Sequence, residues 1–259
     1  MIYYMDYLKA FTIGTSGPVF FPHLASLKLA DENDYSYSFK TYSLIAPIYY
    51  GLMTMLALYI GKTFHKTLRM RLFITSLISI IFIVSLNYFV SSKLYKPYSN
   101  YSTKDWLRYI MRNGSRHFIA FNFIIYYLSE YFSKSWPLKV FIIGSSFFSY
   151  FITYLKVIRL DYQKKLNYDY KTFAVGEPFI QGFDLLGSLY VLQKLLGLGL
   201  KPSLLIWNIV SSVLWLLLAY TGKTYTHENL QEWIVAFSRV LLTGFIKIVP
   251  IYFLLARLK

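Results

Sequence analysis

Seven apolar runs, each close to the roughly 20 residues that a helix needs to cross a bilayer, recur along the chain. They cover residues 42–61, 72–92, 117–133, 138–158, 179–200, 203–220 and 234–256. None alternates polar and apolar residues with a period of two, as the strands of a membrane barrel do. Within hydrocarbon the remaining way to satisfy every backbone N–H and C=O is the helix. The expected fold is therefore all-α, a polytopic transmembrane helical bundle of about seven spans. Tyr and Trp gather at most span ends, as an interfacial belt does.

Residues 1–41 read differently. The stretch 11–26, FTIGTSGPVFFPHLAS, is apolar but interrupted by Gly14, Gly17, Pro18 and Pro22. Such interruptions argue against a straight helix. The expectation is a re-entrant or interfacial segment, with a kinked span as the alternative. The division that follows is 1–41, a membrane-associated N-terminal segment, and 42–259, the transmembrane domain. The N-terminus lacks the basic stretch and small-residue cleavage site of a secretory signal, so the first span is expected to act as an uncleaved insertion signal.

Charge composition narrows the function classes. There are 27 Lys and Arg against 12 Asp and Glu, a net charge of +15. In a soluble chain this would point to nucleic acid. Here the cations flank apolar runs, where they set topology and meet anionic lipid headgroups. The expected partner is the lipid bilayer, with nucleic acid excluded and homo-oligomerisation left open. No cysteine is present, which removes disulfides, thiol catalysis and thiolate metal sites. The four histidines (His23, His65, His117, His227) lack metal-ligand spacing, so no metal site is expected.

Two loops carry local signals. In 93–116 a short amphipathic helix is expected near 104–112, with Ser102 and Asp105 at capping-box spacing. Trp106, Leu107 and Ile110 would lie in the interface while Lys104, Arg108 and Arg112 face headgroups. An ordinary surface helix is the plainer reading. Basic residues are more numerous on the N-terminal side of the spans, which places the N-terminus in the cytoplasm. Against this, the dense basic loop 62–71 falls on the opposite side. Two glycosylation sequons, beginning at Asn100 and Asn113, also fall in a loop that the count makes cytoplasmic.

Charged residues inside the spans are the candidates for function: Asp184, Lys247, Arg239, Glu130 and Lys194. A charge at the centre of a bilayer costs about 2.5–3.5 kcal/mol on insertion scales, so it has a partner, a water-filled cavity or a route to the interface. Depth suggests the pairs Asp184–Arg239 and Glu130–Lys194. The plainer reading is that Lys194, Glu130 and Arg239 snorkel and that Asp184–Arg239 fastens two helices. Lys247 is harder to dismiss, because it sits mid-span with no evident partner. Asn87, Asn122, Gln181, Gln193 and Asn208 add amides able to bond between helices.

Three functions stay open on this reading. The first is a transporter or channel for a small solute or ion, in which Asp184, Arg239 and Lys247 line one cavity. The second is a photoreceptor: seven spans with a lysine midway along the last resemble microbial rhodopsins and heliorhodopsins. That resemblance implies retinal on Lys247 as a Schiff base, with Glu130 or Asp184 as counterion. The chain departs from the family one turn before Lys247, where Thr243 stands instead of aspartate. The third is a structural or scaffolding membrane protein without substrate. No cofactor is expected outside the retinal reading. An intramembrane enzyme is least supported. The GTSG at 14–17 matches the G-x-S-G of rhomboid proteases, but no histidine is evidently placed to serve Ser16 as a base. The strings GTSGPVFFP and YSFKTYSLIAPIYYG resemble uncharacterised multi-pass membrane proteins of large DNA viruses. The resemblance covers the N-terminal part of the chain; it implies a host-cell or virion membrane and supplies no site residues.

Overall fold

The computed structural model describes residues 2–16, 39–64, 66–93, 101–167, 169–227 and 229–258. Among these the chain is helical throughout, with no strand beyond an isolated bridge between Leu166 and Tyr225. Contacts fall into two compact units, Met1–Tyr131 and Phe132–Lys259. The sequence-read boundary at 41/42 lies inside the first of them.

The first unit holds α1 (Ile2–Gly14), α2 (Phe39–Phe64), α3 (Leu68–Lys93) and α4 (Thr103–Ile119). The π-helical segment Ala120–Ile125 then runs on into α5 (Tyr126–Tyr131). α1 lies antiparallel along the C-terminal half of α2. Asp6 pairs with Lys62 at 3.5 Å, and Gly14 meets Gly51 and Thr54 near the middle of α2. A Cβ at Gly14 would stand 2.6 Å from the Tyr50 carbonyl oxygen, so only glycine permits this approach. The hydroxyls that follow close the helix end: Thr15 donates to the Thr12 carbonyl at 3.1 Å and Ser16 to that of Ile13 at 2.9 Å. Thr12 to Ser16 are all buried. The remainder of the interrupted stretch, with Pro18 and Pro22, lies outside the described residues.

The second unit holds α6 (Trp136–Gly144), α7 (Phe147–Tyr162) and α8 (Tyr170–Leu189), the last continuing as the π-helical segment Tyr190–Leu195. It ends with α9 (Leu200–Thr221) and α10 (Leu230–Arg257). Ser135 caps α6, accepting from Leu138 N. Between α6 and α7 the helix is broken at Ser145 and Ser146, both buried. The freed Ile143 carbonyl accepts from Ser146 Oγ at 2.8 Å and Ser149 Oγ at 2.7 Å, so no bare acceptor is left there.

Among the described residues, five helices are long and apolar enough to cross a membrane: Phe39–Phe64, Leu68–Phe89, Trp136–Leu160, Leu200–Thr221 and Leu230–Arg257. Their sorting is that of a membrane protein. α9 buries Ser203, Asn208, Ser211 and Ser212, while Leu205, Ile209, Val213 and Leu217 point outward. In water that arrangement is inverted; in lipid it hides the polar groups and presents hydrocarbon to hydrocarbon. The five apolar helices fit a membrane-embedded protein.

The expected count of seven is therefore not reproduced. Runs 117–133 and 179–200 are the two that drop out, for a shared reason. Each starts inside a longer helix whose earlier part is polar, α4 in one case and α8 in the other, and each passes through a π-helical segment. A window laid over the apolar run alone takes in only part of each of these longer helices.

Candidate functional site

The polar groups of the second unit converge on one cavity. On α8, Glu177, Gln181 and Asp184 follow at i, i+4 and i+7, a spacing that sets them on one helical face. α9 presents Trp207, Asn208 and Ser211, at i, i+1 and i+4. α10 adds Thr243 and Lys247, and α7 adds Thr153 and Lys156. All of them line a cavity of about 380 Å³.

Two hydrogen-bonded sets hold the charges. Lys247 Nζ donates to Gln181 Oε1 at 3.3 Å, and Gln181 Nε2 donates to Glu177 Oε1 at 2.7 Å. The Gln181 amide is matched to this place: its acceptor end meets the lysine amine and its donor end a carboxyl oxygen. In the second set, the Asp184 carboxylate accepts from Trp207 Nε1 at 2.9 Å and from the Ser211 hydroxyl at 3.0 Å. Glu177 and Lys247 are 1% and 9% exposed. The anions acting electrostatically on Lys247 are those of Glu177 and Asp184. Gly244, one turn before Lys247, lets α9 come close. Asn208 Oδ1 would be 1.5 Å from a Cβ at that position, and its amide donates to the Leu241 carbonyl at 3.3 Å.

α8 carries Glu177 into the bundle in spite of Pro178. Proline has no N–H to give the carbonyl four residues back, here that of Ala174. The buried Tyr154 hydroxyl from α7 donates to that carbonyl instead. The proline is thus accommodated inside the helix, and the residue before it faces the cavity.

The sequence-read candidates divide. Asp184 and Lys247 line the cavity together. Arg239 is exposed and lines an adjoining groove instead. The depth-based pair Asp184–Arg239 is not formed, since the carboxylate is occupied by Trp207 and Ser211. Lys194 lies in the π-helical segment after α8, exposed, 5.2 Å from the Trp136 ring, outside the cavity. Glu130 belongs to α5 in the first unit. Lys247, read as lacking a partner, has one in Gln181.

Two contributors escape the sequence reading. Glu177 is assigned to a loop when the span is started at residue 179, just past the proline; the i, i+4, i+7 spacing with Gln181 and Asp184 is the signal that would have recovered it. Lys156 falls inside run 138–158 and is masked by the aromatic residues around it. No group of three or more His, Asp or Glu that could hold a metal ion occurs among the described residues.

In the first unit, Ser16 and His117 do not form a nucleophile–base pair. Ser16 donates to Ile13, whereas the His117 ring stacks on Tyr50 and Phe121, with Nδ1 3.5 Å from the Tyr50 hydroxyl. Comparison with protein-family models, curated proteins and solved structures finds no match to this chain.

Proposed function

We propose that the protein is a transporter or channel whose second unit handles a small polar or charged solute. The observation that carries this reading is the Lys247–Gln181–Glu177 network set beside Asp184 in one cavity. Ionisable groups at membrane depth mark solute or proton pathways, because hydrocarbon tolerates them only where something polar is held or passed. The volume, about 380 Å³, falls in the range of small-molecule sites. A helix broken at Ser145 and Ser146 beside the bundle is a further element that transporter cores use.

The test is reconstitution in liposomes and planar bilayers, reading ionic current in KCl and proton movement with an entrapped pH dye. Lys247→Ala, Glu177→Gln and Asp184→Asn should each lower flux by about tenfold or more, a loss of roughly 1.4 kcal/mol or greater. Lys194→Ala should leave it unchanged. Equal effects from all four would sink the proposed site. Normal flux in every variant would favour a structural role. A visible absorption band on adding retinal, lost in Lys247→Ala, would replace transport with photoreception.

A further inference from the structure

Beside the inner cavity runs a second depression, a groove of about 860 Å³ between α7, α9 and α10. Its two ends differ. Toward the middle of the helices the walls are Ile152, Leu155 and Leu242. Toward their ends, near the loops 163–167 and 222–229, they carry Lys156, Arg159 and Arg239.

The charges at that end do not balance. One described carboxylate lines the groove, that of Glu232, and it is taken up by Lys165 at 3.2 Å with His227 Nδ1 at 3.4 Å. Among the described residues no carboxylate lies within salt-bridge distance of Lys156, Arg159 or Arg239. Lys156 lies 6.0 Å from the Tyr225 ring and feels the like charges of Lys247 and Arg239 as well as the opposite charge of Glu177. Three cations lining one groove, two of them guanidinium forks, suit the oxygens of a phosphate. A basic pocket between spanning helices with apolar walls running deeper is the form that a lipid headgroup and its chain would fill.

We infer that this groove binds an anionic phospholipid, its phosphate held by Lys156, Arg159 and Arg239 and an acyl chain lying along Ile152, Leu155 and Leu242. The inference stands apart from solute transport, although Lys156 lines both the groove and the inner cavity. A lipid seated there would touch the solute site through that residue.

The experiment is lipid retention by native mass spectrometry on the full chain in neutral detergent. Phosphatidylglycerol should be retained about tenfold better than phosphatidylcholine of the same chains. Arg159→Gln/Arg239→Gln should remove most of that preference, while Lys194→Gln should keep it. If the double variant does not fold, Arg239→Gln alone reads the same preference, since its side chain is exposed and makes no salt bridge. Equal retention of the two lipids, or an unchanged preference in the variants, overturns the inference. Displacement of phosphatidylglycerol by millimolar inorganic phosphate would assign the cations to a soluble anion and overturn the acyl-chain half. Flux is not read in this assay, so its failure and the failure of the transport reading are separate results.

Discussion

Gln181 is the residue on which the cavity depends most directly. It joins Lys247 to Glu177 through a single amide. Gln181→Leu would leave both buried groups without these hydrogen bonds. Removing one partner of a buried charged group costs about 3–5 kcal/mol, so the variant should unfold at clearly lower temperature in detergent. Gln181→Glu keeps the shape and adds a carboxylate next to Glu177; it should fold better than the leucine variant and still lose flux. Comparing thermal unfolding with flux for the two substitutions separates structural from functional dependence. Tyr154 permits a second test. Tyr154→Phe strips the Ala174 carbonyl of the donor that replaces the missing N–H of Pro178. An unsatisfied buried acceptor costs about 1–3 kcal/mol. Tyr154→Phe/Pro178→Ala should recover much of that, because alanine supplies the N–H; no recovery would show that the tyrosine acts in some other way.

Among the elements, α4 shows most plainly what could be read from the chain in advance. Its capping box forms as the spacing of Ser102 and Asp105 implies: Asp105 Oδ2 accepts from Ser102 N at 3.0 Å, and Ser102 Oγ caps Asp105 N. The hydrogen bonds from Ser102 hold the Asp105 carboxyl below its ordinary range. A carboxyl lowered in the folded state stabilises above its unfolded value, near 4, and that contribution is lost as pH falls through the folded value. Amide exchange at 103–107 should therefore quicken, relative to the rest of the helix, on going from pH 6 to pH 3. In Asp105→Asn that pH dependence should be absent. The box was legible because its partners are three residues apart. The helix itself runs to Ile119, further than the expected 104–112, because Asn113 and His117 continue its inward face against the first unit. Asn113 is buried and its amide nitrogen donates to the Tyr109 carbonyl at 3.1 Å, so this sequon offers no free amide for a glycan. The Lys247–Gln181 bond was not legible, since it joins residues 66 positions apart and nothing local specifies which helices meet. Glu177 was hidden by Pro178, a residue that ordinarily ends a helix and here does not.

For the whole molecule, the outward faces of the helices set the medium. Leu214 is exposed on α9, on the side opposite the buried Ser212. Leu214→Asp would place a carboxylate in hydrocarbon at about 2.5–3.5 kcal/mol on insertion scales. Ser212→Ala changes a group inside the bundle and should insert normally. Carbonate extraction of membranes from expressing cells reads this directly: the aspartate variant should shift to the soluble fraction or be degraded, while the alanine variant stays in the pellet. The two compact units are each one unbroken stretch of sequence, Met1–Tyr131 followed by Phe132–Lys259. Chains leave the ribosome N-terminus first, at about 5–20 residues per second. The first unit can therefore close in the membrane several seconds before the last helix of the second has been made, so that the order of synthesis becomes the order of assembly.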